Sequence, residues 1–150
     1  MTPSWRAPRT ALAAVLAGAI LAACTAAATP SVQPSQPPGA VRVEVTLSDA
    51  LRIEPASITV PAGKAVVFVV KNTGRLEHEF FVGDEKAQAD HEQAMMGSSG
   101  MIHDEPNGIG LKAGQAKELT MTFPAAGTTL AGCHIPGHYA AGMKATIQVQ

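Results

Sequence analysis

The stretch Cys133-His134-Ile135-Pro136-Gly137-His138-Tyr139-Ala140-Ala141-Gly142-Met143 places a thiol, an imidazole and a thioether at Cys-x4-His-x4-Met spacing, with a strand-like pattern on either side. Soft sulfur donors combined with imidazole suit copper, and two His with one Cys in a plane and a weak axial Met make a one-electron copper site. A second imidazole is required from elsewhere. His78, in Leu76-Glu77-His78-Glu79-Phe80, starts a predicted strand directly after a turn, where it can meet the C-terminal loop at one end of a sandwich. Zinc is the competing metal, because Cys and His ligate it readily. A nucleophilic Cys–His pair is the competing chemistry, but no acylation motif surrounds Cys133, and both rank below copper.

A softer signal lies between residues 91 and 103, where His91, Met95, Met96, Met101 and His103 cluster. Thioethers and imidazoles favour Cu(I), and His91 and Met95 share a face if this segment is helical. The competing reading is that the methionines pack the segment against the rest of the domain, as methionine does well. His134 is expected to face solvent.

The elements that must position these residues are mostly strands. Val41, Val43, Val45 and Leu47 alternate with Arg42, Glu44 and Thr46, and Ile58 with Val60 repeats the pattern before Pro61-Ala62-Gly63. Ala65 to Val70 is a β-branched apolar run that ends in the turn signal Lys71-Asn72-Thr73-Gly74, and Phe80-Phe81-Val82 continues the β pattern. Leu119, Met121 and Phe123, then Ala145, Ile147 and Val149, complete it. Short strands separated by Gly/Pro turns over 41–150 predict an all-β domain, a Greek-key antiparallel β-sandwich. Asp84 to Met96 breaks the pattern with helix formers and an N-cap candidate, so a short helical insertion is expected at about 84–107, with a loop from Gly97 onward.

These motifs resemble the cupredoxin family, β-sandwiches with one His on an early strand and Cys, His and Met on the loop between the last two strands. The Cys-x4-His-x4-Met spacing is similar to the rusticyanin variant, Pro-Gly-His to the azurin loop, and Glu-His-Glu with a Met/His-bearing insertion to small exported bacterial cupredoxins, some associated with copper tolerance. The resemblance implies one copper, with His78, Cys133 and His138 as equatorial ligands and Met143 as the axial one. It implies an electron carrier, not an enzyme, or alternatively a protein for copper sequestration, delivery or tolerance. Partners would be a redox protein of a respiratory or envelope electron chain, docking on an apolar patch of Ile135, Pro136, Tyr139, Ala140 and Ala141 around His138, or copper-handling proteins. One departure concerns Glu79, which stands where many cupredoxins have Asn or Ser to fix the ligand loop. A Cys-His pair also occurs at the mononuclear site of multicopper oxidases, but their trinuclear cluster needs His-x-His pairs, which this chain lacks.

The chain's 11 basic and 12 acidic residues give a net charge of −1, which argues against a nucleic-acid partner. Arg6 and Arg9 precede an apolar run from Ala11 to Ala23, so residues 1–23 read as an export signal peptide, too short for a comfortable permanent span. Leu21-Ala22-Ala23-Cys24 resembles the lipobox of bacterial lipoproteins, which implies a lipidated Cys24. Residues 24–40 then form a Pro/Ala-rich tether from a membrane to the domain at 41–150. With Cys24 acylated, Cys133 has no disulfide partner in an oxidising compartment, and metal ligation supplies a reason for a lone thiol there. The expected location is the cell envelope, facing the periplasm or extracytoplasmic space. The full-length product should fractionate with membranes, and Cys24→Ser should release it or block its processing; wild-type protein recovered soluble and unmodified would overturn the anchor.

Overall fold

The structure, a computed structural model, describes residue 1, residues 37–98 and residues 100–150. The signal peptide, Cys24 and most of the tether lie outside the described residues.

Nine strands and one helix are present among the described residues: β1 (Val41–Ser48), β2 (Arg52–Glu54), β3 (Ser57–Val60), β4 (Ala65–Asn72), β5 (His78–Gly83), α1 (Glu85–Gly97), β6 (Gly108–Leu111), β7 (Ala116–Thr122), β8 (Gly127–Gly132) and β9 (Lys144–Val149). They form two sheets in the orders β2-β1-β4-β7 and β3-β9-β8-β5-β6. Most neighbours are antiparallel, as expected, but β1 pairs with β4 and β3 with β9 in parallel. The chain changes sheets between β2 and β3, between β3 and β4 and again between β4 and β5, so strands of one sheet are joined through the other and two of them run the same way. Side-chain alternation reports which face is buried and carries no information about strand direction.

Alternate residues of both sheets meet in one core. Phe68 of β4 packs on Phe80 of β5 at 5.3 Å between ring centroids and on Phe123 at 6.4 Å. Leu47, Ile53, Val70, Leu111 and Ile147 are buried around them. Strand β5 is unusual in being covered on both faces. Phe80 and Val82 point into the core, while Glu79 and Phe81 point outward and are buried too. The cover is α1, whose Gln88, His91 and Met95 form its buried stripe at i, i+3 and i+7. Asp84 caps the helix, its carboxylate accepting from the Ala87 N–H at 2.8 Å.

Truncation at the ring junction tests this core: Phe68→Ala should lower unfolding free energy by about 3–5 kcal/mol, read from the denaturant midpoint. A loss below about 1 kcal/mol would show that the two sheets do not depend on that contact.

Candidate metal centre

The loop that carries Cys133 is tied across its own base. The Cys133 N–H donates to the Met143 carbonyl at 3.1 Å, the Met143 N–H to the His138 carbonyl at 3.0 Å, and the His138 N–H to the Ile135 carbonyl at 2.9 Å. Cys133, His138 and Met143 are thereby held on one compact turn between β8 and β9, with Cys133 and Met143 fully buried.

His78 reaches the same end of the sandwich from β5. Asn72, at the end of β4, donates to the carbonyls of Leu76 at 2.7 Å and Lys112 at 3.2 Å and accepts from the Gly74 N–H at 2.9 Å. Asp49 accepts from the N–H groups of Arg75 and Leu76 at 2.8 to 3.1 Å, and these bonds hold its carboxyl below the usual carboxylate range. Glycine at 74 lets the Asp49 carboxylate sit against the turn, since a Cβ there would push that carboxylate away. The pinned turn delivers His78 with its Nε2 3.4 Å from Asp49 Oδ1, a close approach without hydrogen-bond geometry.

One donor atom from each of His78, Cys133 and His138 lies within 4.8 Å of the other two. Cys133 Sγ and His138 Nδ1 are 3.4 Å apart, and the two imidazole centroids 5.1 Å. A single ion about 2.0–2.3 Å from nitrogen and sulfur donors reaches all three. Burial lowers the pKa of His78, against the opposing pull of Asp49, and burial followed by the charge of His78 lowers that of His138. Both rings are therefore neutral at pH 7 and keep a lone pair. Burial pushes the Cys133 thiol up to about 12, against the amides of Ile135 and Glu79. Such a thiol is a poor nucleophile without a cation, which speaks against the nucleophilic pair. Both ring nitrogens of His78 are buried without a hydrogen-bond partner, and a metal would satisfy one of them.

Glu79 takes up the task expected of Asn or Ser and adds to it. Its N–H donates to Cys133 Sγ at 3.3 Å, its Oε2 accepts from the His134 N–H at 3.0 Å, and its Oε1 contacts His91 Nε2 from α1. His134 is not solvent-facing, being 1% exposed. Its Nε2 bonds Gln88 Oε1 at 2.6 Å and its ring stacks on Tyr139 at 4.4 Å, so the helix supplies the cover that the local sequence does not reveal. Burial, then the charge of His91, pushes the His134 imidazole down to about 4. The softer cluster is divided. His91 and His103 come together, 6.1 Å between centroids, whereas Met95 is buried and Met96 and Met101 are 63% and 71% exposed. Asp49, Asn72, Gln88 and Glu105 were missed; only their polarity beside apolar strands could have marked them.

Residues 40–150 match the family model for copper-binding proteins of the plastocyanin/azurin family. The chain belongs to that family. This cupredoxin is 40% identical over 108 residues to the copper-resistant cuproprotein CopI of Rubrivivax gelatinosus, covering 72% of this chain and 66% of that protein. It is 36% identical over 137 residues to CopI of Pseudomonas aeruginosa, covering 72% and 75%. Among solved structures, dithionite-reduced auracyanin from Roseiflexus castenholzii superposes with a TM-score of 0.66 at 26% identity, over 73% of this chain and 97% of that one. The chain thus spans about two thirds to three quarters of the length of these two CopI proteins. A single copper is the metal that the family and the His-Cys-His geometry support.

Removal of the bridging carboxylate is the direct test of its role. Glu79→Ala, which strands the His134 N–H and His91, should destabilise the apoprotein by about 3 kcal/mol, and Glu79→Gln by about 1 kcal/mol. Equal unfolding midpoints for both variants would refute the bridge.

Proposed function

We propose that this cupredoxin carries single electrons in the cell envelope at one mononuclear copper. The observation behind this reading is the convergence of the His78, Cys133 and His138 donors, with Met143 buried on the same loop. Copper held there supplies a one-electron couple. The protein's own part is positional. Neutral His78 and His138 keep nitrogen lone pairs for the metal, the amides of Glu79 and Ile135 face the sulfur, and the cross-bonded loop ties Cys133, His138 and Met143 to one another. Met143, buried on the same loop, would add its thioether as a fourth, weaker donor.

His138 is half-buried, and Pro136, Gly137, Ala140 and Ala141 around it are exposed, with Ile135 and Tyr139 half-buried beside them. This small apolar collar is where a redox protein of the respiratory or envelope chain docks and the electron leaves. The role is that of a carrier, not an enzyme. The leader exports the chain and the lipidated Cys24 anchors it to a membrane; among the described residues no helix is long and apolar enough to cross one.

A second reading, copper sequestration or delivery in tolerance, is favoured by two relatives named as copper-resistant cuproproteins at 40% and 36% identity. Its partners would be copper-handling proteins.

Copper reconstitution tests the site. The protein should take up one tightly held copper and, oxidised, show an intense thiolate-to-copper charge-transfer band. Cys133→Ser should abolish the band, whereas Met143→Leu should keep much of it and raise the reduction potential, since only the weak axial donor is lost. Colourless protein that prefers zinc, or equal loss in both variants, contradicts the assignment. Deletion in cells separates the roles: loss of copper tolerance with electron flux intact would put handling before transfer.

A further inference from the structure

Outside the ligand set, two imidazoles and one carboxylate meet in the insertion. The His91 ring is nine-tenths buried and fixed on two sides. Its face stacks on Phe81 at 3.9 Å and 2° between planes, and its Nε2 contacts the Glu79 carboxylate. Nδ1 is thereby turned toward Glu105 Oε1 at 3.7 Å, too long for a hydrogen bond. His103 approaches the same oxygen from the loop after α1. Its Nδ1 bonds the Met101 carbonyl at 3.1 Å, which leaves Nε2 2.6 Å from Glu105 Oε1. Glu105 is itself held by backbone pairing with Gly108.

Each imidazole has its far nitrogen on an oxygen acceptor and turns its near nitrogen to the same carboxylate oxygen, His103 within hydrogen-bond distance and His91 beyond it. That is the arrangement of metal-ligating histidines, whose second nitrogen is committed to a carboxylate or carbonyl that sets the tautomer. His103 Nε2 is thus hydrogen-bonded to Glu105, and His91 Nδ1 faces the same oxygen from the helix. A cation would take the place of the proton in that bond, with His91 Nδ1 and His103 Nε2 closing around it together with the carboxylate. Asp104 is unavailable as a further donor because it is engaged by Lys117 at 2.8 Å and by the Gly110 N–H at 3.0 Å.

We propose that His91 Nδ1, His103 Nε2 and the Glu105 carboxylate form a second cation site, distinct from the Cys133 centre, that takes Cu(II). The donor set decides the oxidation state. Nitrogen and oxygen suit divalent copper or zinc, whereas Cu(I) would need the thioethers, and Met95 is packed under the helix while Met96 and Met101 face solvent. An ion about 2.0–2.2 Å from each donor holds donors roughly 3 Å apart. His103 and Glu105, whose side chains are 50% and 31% exposed, have the room to close on the buried His91. Water completes the coordination. Glu79 orients His91 here and also bonds the backbone beside Cys133, so the two sites share one carboxylate.

Cupric sulfate titration of the full chain, followed by visible absorption and electron paramagnetic resonance, is the test. The first equivalent should develop the charge-transfer band. A second, weaker equivalent should add a separate signal with nitrogen hyperfine structure and no new charge-transfer band, and a large excess of Zn(II) should compete for it while leaving the first in place. His103→Gln and Glu105→Gln alter an exposed and a half-buried side chain away from the Cys133 loop, and each should weaken the second equivalent at least tenfold while leaving the first unchanged. No second equivalent in the wild-type protein, or one equally tight in both variants, overturns the proposal. Because the band reports the first site and the second signal the other, failure of either assignment is seen independently.

Discussion

The carboxylate of Glu79 is the contact on which the metal end of the molecule depends. It stands one residue after His78 and is bonded to the backbone one residue after Cys133, so it joins the two segments that bring donors together. Its own amide faces the sulfur. A buried carboxylate without partners would be prohibitively destabilising, and the two oxygens here are satisfied by separate groups, the His134 amide and the His91 ring. The ligand geometry and the docking of the helix are consequently one problem with one solution.

Strand periodicity explains how adjacent residues serve such different neighbours. Along β5, His78 and Phe80 turn inward toward donors and core, while Glu79 and Phe81 turn outward beneath α1. The helix is not held by a greasy stripe. Gln88 donates to the carbonyls of Leu130 and Gly83 and accepts from His134, and Gly132 is the residue that lets Gln88 and Tyr139 close in, since a Cβ there would crowd both. This polar mode of attachment needs every partner in place, which makes α1 responsive to what happens around Cys133.

The same feature separates what could be read in the sequence from what could not. The ligand loop was legible because the chemistry of Cys133, His138 and Met143 falls within eleven consecutive residues, and β1, β4 and β9 because apolar side chains alternate or run without interruption. The α1 boundaries were legible from Asp84 and a stretch free of Gly and Pro. Strands β6 and β8 escaped notice because Gly-Ile-Gly-Leu is only four residues long and half glycine, Gly-Thr-Thr-Leu-Ala-Gly carries almost no alternation, and both take their order from neighbouring strands. His134 was misjudged since its burial comes from Gln88 and His91, more than forty residues earlier. Composition gathered three methionines beside His91 and His103, but the helix rotation and the following loop send them to different surroundings.

The order of strands also governs how the molecule meets copies of itself. Open sheet edges invite pairing between chains, and proteins blunt them with short or charged strands. Of the four edges here, β2 has three residues and β3 and β6 have four each. The remaining edge, β7, is longer, but its Lys117 and Glu118 are engaged by Asp104 and Arg42. Among the described residues no edge offers a long, flat, apolar template, so these sheets resist edge-to-edge aggregation at high local concentration.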